Sequence, residues 1–152
     1  MRNSFRLFFT PSQWAAAGLI VACTVFWGCA AANKDFELAD NAVRQFHSQL
    51  DSEQYSAIYL SADATLKRST SESDFVTLLR SVHSTLGPFQ SSSLHSKTWA
   101  YHTPQTASVR LDYDATFVHG SGRERFTWQI GGDSVVLGGY TIESSKLVGP
   151  PN

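Results

Sequence analysis

Cysteine is scarce in this chain of 152 residues: there are two, Cys23 and Cys29, both toward the N-terminus. Two thiols cannot build a four-cysteine zinc site, and their position excludes a disulfide-stapled core. Charge is sparse as well, at 16% of residues, against roughly 25% in ordinary soluble domains. The deficit is uneven. Residues 1–28 hold Arg2 and Arg6 and no acid, so ten basic residues face all thirteen acidic ones after Gly28, a formal net charge of −3. That balance leaves no basic surface for nucleic acid. A second long apolar run is also missing, which excludes a multi-span membrane protein. The length fits about one domain.

What is present begins with an export signal. MRNSFRLFFTPSQ carries the two arginines, and WAAAGLIVACTVFWGCAAA then runs without charge. A basic start, an apolar stretch and small residues are the three parts of a secretion signal. Trp14 to Ala32 is also long enough to cross about 30 Å of hydrocarbon as a helix, so a retained anchor is an alternative. Phe26-Trp27-Gly28-Cys29-Ala30 resembles the lipobox of bacterial lipoproteins, in which a small residue precedes a cysteine that receives diacylglycerol. Phe26 and Trp27 are bulkier than that box usually has. Ile20-Val21-Ala22-Cys23 fits it better locally, but cleavage there leaves Thr24-Val25-Phe26-Trp27 as an apolar stub. Cys29 is therefore the expected lipidation site, with Cys23 as the alternative and cleavage after Ala30-Ala31-Ala32 as a third route. If the resemblance holds, Ala30 after the cysteine implies outer-membrane sorting in a Gram-negative cell, facing the periplasm.

The remainder changes period once. Phe36, Ala39, Val43, Phe46 and Leu50 form one apolar helical face. Tyr55, Ile58 and Tyr59 repeat the spacing after a break at Asp51-Ser52, which can cap this second helix. Phe75, Leu78, Leu79, Val82 and Leu86 form a third stripe, opened by Ser69-Thr70-Ser71 and closed by Gly87-Pro88. Beyond Pro88 the alternation is two. Trp99 and Tyr101 share a phase, as do Val109, Leu111, Tyr113, Ala115 and Phe117, and again Phe126, Trp128 and Ile130. Ser91–Ser96 reads as a loop or a ragged strand start.

A turn on Gly120-Ser121 pairs Tyr113 with Trp128 and Thr116 with Arg125. In the fourth strand Val135 and Leu137 have one phase and Tyr140 and Ile142 the other: either a bulge at Gly138-Gly139 lets both pairs face inward, or this is an inner strand with apolar residues on both faces. The expected fold is α+β, N-terminal helices packed on one face of an antiparallel sheet and preceded by the signal or anchor segment. Its boundaries are 1–28 for the signal peptide, 29–33 for the lipidated N-terminus and linker, 34–147 for the α+β domain and 148–152 for a frayed tail.

This order of elements resembles the nuclear transport factor 2-like (cystatin-like) superfamily, whose curved sheet wraps a long helix and often encloses a pocket. More narrowly, Cys29-Ala30, Val43-Arg44-Gln45-Phe46-His47, Gln54-Tyr55-Ser56-Ala57-Ile58-Tyr59, Phe126-Thr127-Trp128-Gln129-Ile130 and Gly139-Tyr140-Thr141-Ile142 resemble a family of bacterial lipoproteins of unassigned function. The resemblance implies a fold and a lipid anchor; it implies no activity.

Chemistry must then be sought residue by residue. Isomerase-type proton transfer needs a carboxylate and an oxyanion-holding tyrosine in one cavity. Asp112 and Asp114 alternate to the outer face, away from Tyr113. His47 and His83 border their helices' apolar faces. No histidine pair has H-x-x-x-H spacing, so no metal is expected. Gly120-Ser121-Gly122 is a turn and lacks the G-x-S-x-G pattern of a serine nucleophile. Gly131-Gly132-Asp133 has no following helix to bind phosphate.

No catalytic residue and no cofactor is assigned. If there is a pocket, Tyr113, Trp128, Tyr140, His47 and His83 are expected to line it. The expected role is a lipid-anchored envelope domain that binds a small molecule or an envelope protein. An isomerase or dehydratase using a pocket histidine or tyrosine is the alternative, and a structural envelope module is a third. The outer face, with Arg110, Asp112, Asp114, Thr116, Arg125, Thr127 and Gln129, leaves a polar-face dimer open.

Overall fold

The computed structural model describes residues 14–103 and 106–147, with side chains from residue 32 onward. Contacts divide the chain into two units, Met1–Asn33 and Lys34–Asn152. The signal peptide and the choice between Cys23 and Cys29 concern side chains outside those described, as does the tail after residue 147. Among the described residues, no helix is long and apolar enough to cross a membrane.

Among the described residues, four helices precede four strands: α1 (Trp14–Asp51), α2 (Tyr55–Leu60), α3 (Ala64–Ser69), α4 (Glu72–Leu86), β1 (Phe89–Thr103), β2 (Thr106–Phe117), β3 (Gly120–Gly131) and β4 (Ser134–Glu143). The strands form an open antiparallel sheet in the order β1-β2-β3-β4. The fold is α+β. Ala39, Val43, Phe46 and Leu50 of α1, with the stripes of α2 and α4, share one core with Val109, Leu111, Tyr113, Phe126, Trp128 and Tyr140. Burial of these apolar faces supplies the driving force, at about 25 cal/mol per Å² removed from water.

The helix signals read from the sequence hold at α4. The Ser71 hydroxyl accepts the Asp74 N–H, and Gly87 ends the helix with φ of +79°. That glycine is required, since a β-carbon would lie 2.8 Å from Nδ1 of His119. Asp51 does not cap α2, whose N-cap is Gln54 without a side-chain bond. Asp51 instead accepts the Phe89 N–H at 3.0 Å, where the first strand starts.

The helix α3 has no counterpart in the pattern reading. Leu66 is its one buried residue, so it shows no period. Asp63 caps it, accepting the Thr65 N–H at 2.6 Å, and the Asp63 N–H donates to Leu137 O of β4 at 2.8 Å.

The β2–β3 hairpin turns two residues earlier than the glycines suggest. Phe117 pairs with Gly120, so the turn is Val118-His119, and Tyr113 lies opposite Glu124, with Val109 opposite Trp128. Tertiary bonds select this turn: the Val118 N–H donates to Pro88 O at 3.0 Å and the His119 N–H to Leu86 O at 2.7 Å. Gly120 serves close approach, because a β-carbon there would meet Leu86 and Lys146 at 3.2 and 3.1 Å. The shift is even, so every inward residue stays inward.

The bulge in β4 is present. Thr127 pairs with Gly139 and Trp128 with Leu137, leaving Gly138 unpaired, and both Leu137 and Tyr140 are buried. Ser91–Ser96 belongs to β1, whose pairing slips in three places. Along this edge strand only Phe89 and Trp99 are partly buried. Tyr101 is therefore not a core residue; it is 55% exposed and packs on Trp99, with ring centroids 5.0 Å apart.

Candidate functional site

Glu124 is the residue that the sequence reading missed. It shares the inward phase of Phe126 and Trp128 on β3 and is fully buried. Two groups meet its carboxylate. Nε2 of His47, on α1, lies 2.8 Å from Oε2, and the Tyr140 hydroxyl, on β4, donates to Oε1 at 2.7 Å. Phe89 stacks on the His47 ring at 3.7 Å, and Phe126 and Phe46 present edges to it. Burial pushes the Tyr140 hydroxyl well above the usual phenol range, and the Glu124 charge and hydrogen bond push the same way. The hydroxyl is thus held as a donor. This is the carboxylate–tyrosine–histidine set that proton-transfer chemistry requires, but it is closed on itself and sealed by aromatic rings.

A second inward tyrosine is held from α1. The Tyr113 hydroxyl donates to Oδ1 of Asp40 at 2.5 Å, and Asp40 in turn pairs with Arg44. Burial raises the Tyr113 hydroxyl, reinforced by the Asp40 hydrogen bond and charge. His83 turns toward α2, with Nδ1 3.2 Å from the Tyr55 hydroxyl. Its Nε2 is buried without a hydrogen-bond partner.

Open space lies elsewhere, between α1, α2, β3 and β4. A cavity of about 180 Å³ has Phe46, Ile58, Trp128 and Leu137 as buried lining and Gln45, Gln49 and Ser61 as its polar, more exposed lining. None of its ten lining residues is ionisable. Trp128 is 5% exposed, and its indole Nε1–H is buried with no acceptor. Of the five residues expected to line a pocket, Trp128 lines this one. Tyr140 and His47 are drawn together by Glu124, Tyr113 is held by Asp40, and His83 by Tyr55. Among the described residues, no group of three or more His, Cys, Asp or Glu is placed to hold a metal ion.

The outer face carries charge pairs in direct register. Arg125 lies opposite Asp112, rather than opposite Thr116, and donates to it at 2.6 Å. Ser96 donates to the same carboxylate at 2.7 Å. Burial works to raise the Asp112 carboxyl, but the Ser96 and Arg125 hydrogen bonds and the arginine charge outweigh it and hold it below the usual carboxylate range. Arg123 donates to Asp114 at 3.0 Å. The exposed Arg123–Asp114 pair contributes little stability, roughly 0–1 kcal/mol.

Residues 42–140, well over half of the chain, match the model of a family described as protein of unknown function (DUF4019). The chain belongs to the DUF4019 family. The search of curated proteins returns no match. The DUF4019 region runs from Ala42, on the cavity wall, to Tyr140, in the buried network. Both constellations therefore belong to the DUF4019 region, whereas Cys23 and Cys29 lie before it.

Proposed function

We propose that this chain is a lipid-anchored protein of the bacterial cell envelope whose domain, of nuclear transport factor 2-like (cystatin-like) type, binds a small molecule without transforming it. The observation that carries the binding role is the cavity beside Trp128. It has apolar walls, a neutral polar rim and no ionisable group to move a proton. The network at Glu124 supports the same reading, because its three members are buried and bonded to one another. A catalytic role would need that carboxylate open to a substrate.

The anchor rests on the sequence: two arginines, an uncharged run and Gly28-Cys29-Ala30 at its end. Diacylation of Cys29 would place the domain at the membrane surface, at the outer membrane facing the periplasm in a Gram-negative cell. Mass spectrometry of the mature protein is expected to find Cys29 at the N-terminus with its lipid. An N-terminus at Asn33, or an intact Met1, would remove the lipid anchor. The binding role is tested by thermal denaturation of the full chain against small neutral compounds. A binder at 100 times its dissociation constant adds about 2.7 kcal/mol of stability.

A further inference from the structure

The lipid anchor proposed above, on which this step rests, does not by itself orient the domain. The first residues of the domain do. Lys34 donates to Asp133 of the β3–β4 turn at 2.6 Å, the Trp99 indole Nε1–H donates to Asp35 at 2.8 Å, and the Lys97 ammonium lies 4.4 Å from the Phe36 ring centroid. Three successive residues of α1 are thus held against one end of the sheet, toward the close of β1, the start of β2 and the β3–β4 turn. Chain length does the rest. Cys29 precedes Lys34 by five residues, at most about 17 Å of extended chain, so a diacylated Cys29 keeps this end of the sheet near the headgroups.

The same end carries an aromatic surface. Trp99 and Tyr101 lie opposite Val109 and Ala107, yet Trp99 is only partly buried and Tyr101 is 55% exposed. Their ring centroids are 5.0 Å apart. Tryptophan and tyrosine settle at membrane–water interfaces, where the apolar ring and the polar tip each meet a suitable environment. The indole N–H is already satisfied by Asp35, so seating the ring among headgroups strands no donor. Val118, also exposed, lies past the other end of β2, roughly 35 Å from Ala107 by the strand rise. Charge does not compete for the role, because the residues after Gly28 have a formal net charge of −3 and Lys34 is paired with Asp133. A second copy adding a strand at β1 is disfavoured by the three slips in its pairing, since bulges blunt an edge strand. We infer that Trp99 and Tyr101 are the bilayer-facing contact of the anchored domain, seated in the headgroup region of a phospholipid membrane. The tether supplies proximity, so two rings suffice to set the orientation.

The whole chain, purified from membranes, is reconstituted into phosphatidylcholine vesicles whose acyl chains are brominated next to the headgroup. Tryptophan fluorescence is compared with that in unbrominated vesicles. The chain has four tryptophans, and subtracting the Trp99→Phe signal isolates Trp99 whether or not the mature protein keeps Trp14 and Trp27. Bromine is expected to quench the Trp99 component. Tyr101→Ser should lose most of that quenching, whereas Val118→Ser should keep it. Both substituted residues are exposed, and matching urea midpoints verify that the variants fold. Raised salt should leave the quenching unchanged, as it screens only charges. Quenching that survives in Tyr101→Ser, or that salt abolishes, overturns the aromatic contact. The intact mass of the same sample reads the anchor separately. Lipid on Cys29 with an unquenched Trp99 overturns the orientation and leaves the anchor standing; cross-linked dimers lost in Tyr101→Ser would then assign the pair to a second copy of the chain. A chain that carries no lipid and does not float with the vesicles overturns both.

Discussion

Two aromatic donors on the inner face of the sheet meet opposite fates. Tyr140 on β4 gives its proton to a buried carboxylate that also meets His47. Trp128 on β3, four residues beyond that carboxylate in the chain, gives its proton to nothing. Both side chains pack in the same core, and both are nearly fully buried. What differs is the neighbouring polar atom. Where Glu124 sits, the helix and sheet close around a satisfied network. Where Trp128 sits, the space between Phe46, Ile58 and Leu137 stays open. A satisfied network rigidifies, whereas a buried donor without a partner keeps its desolvation cost unrepaid.

The strongest way to break this contrast is to remove the carboxylate. Glu124→Ala leaves the His47 ring and the Tyr140 hydroxyl buried without their shared partner and opens a void. The expected loss is about 3–5 kcal/mol of folding stability, the range for breaking a buried polar pair. Urea denaturation of the purified chain measures it. A loss below about 1 kcal/mol, within the range of a simple surface change, would mean that the network has no structural role.

Tyr140→Phe is the gentler form of the same experiment. It removes one donor and leaves Glu124 with His47, at an expected cost of about 1–2 kcal/mol. It also changes the response to alkali. The folded-state hydroxyl of Tyr140 titrates well above its ordinary value, while the unfolded chain releases that proton near pH 10. Between those points the unfolded state binds fewer protons than the folded one, so stability falls as pH rises. The contribution is whole below about pH 10 and is lost above it. Tyr113 acts in the same direction. The phenylalanine variant should therefore lose stability less steeply than the parent above that pH. Identical alkaline slopes would show that Tyr140 does not carry the effect.

Much of this arrangement is readable from residue order alone, and the limits are physical. The stripe Phe36–Leu50 and the alternation of Val109–Phe117 and Phe126–Ile130 assign faces, because burial acts on each residue separately. The bulge at Gly138 is half readable: two apolar phases within one strand call for a bulge or for two apolar faces, and the pairing of Thr127 with Gly139 and Trp128 with Leu137 decides for the bulge. The hairpin register is not readable, since Pro88 and Leu86 hold the turn from outside the hairpin. Parity survives that error, which is even. Glu124 was legible in principle, being in phase with two buried aromatics. Its partners were not, for His47 and Tyr140 come from separate elements. The same holds for the choice of cavity residue: Tyr113, Tyr140 and Trp128 face inward by pattern and His47 and His83 border their helices' apolar faces, and pattern alone does not decide which one borders empty space.

A change on the cavity side should have the opposite sign. Ala42 lines the cavity from α1 and is nearly buried. Leucine suits a helix interior and extends into the space beside Ile58 and Leu137. Ala42→Leu should raise stability by about 0.5–1 kcal/mol, as cavity filling commonly does. It should also abolish any thermal shift by small neutral compounds. Destabilisation would reveal a site already packed to density, where added volume forces strain.

The smallest expected effect sharpens the contrast most. Trp128→Phe removes an N–H, as Tyr140→Phe removes an O–H, but the donor deleted here has no acceptor to lose. Two terms oppose. The smaller ring enlarges the void, at about 1 kcal/mol on the cavity scale. Deleting a buried, unpaired donor relieves a desolvation cost of about 1–3 kcal/mol. The net change should lie near zero or slightly above it, against a clear loss for Tyr140→Phe. Paired denaturation curves of the two variants decide the matter. If Trp128→Phe is as destabilising as Tyr140→Phe, then the indole N–H already has a partner in the folded chain, and the two donors do not differ in the way the comparison requires.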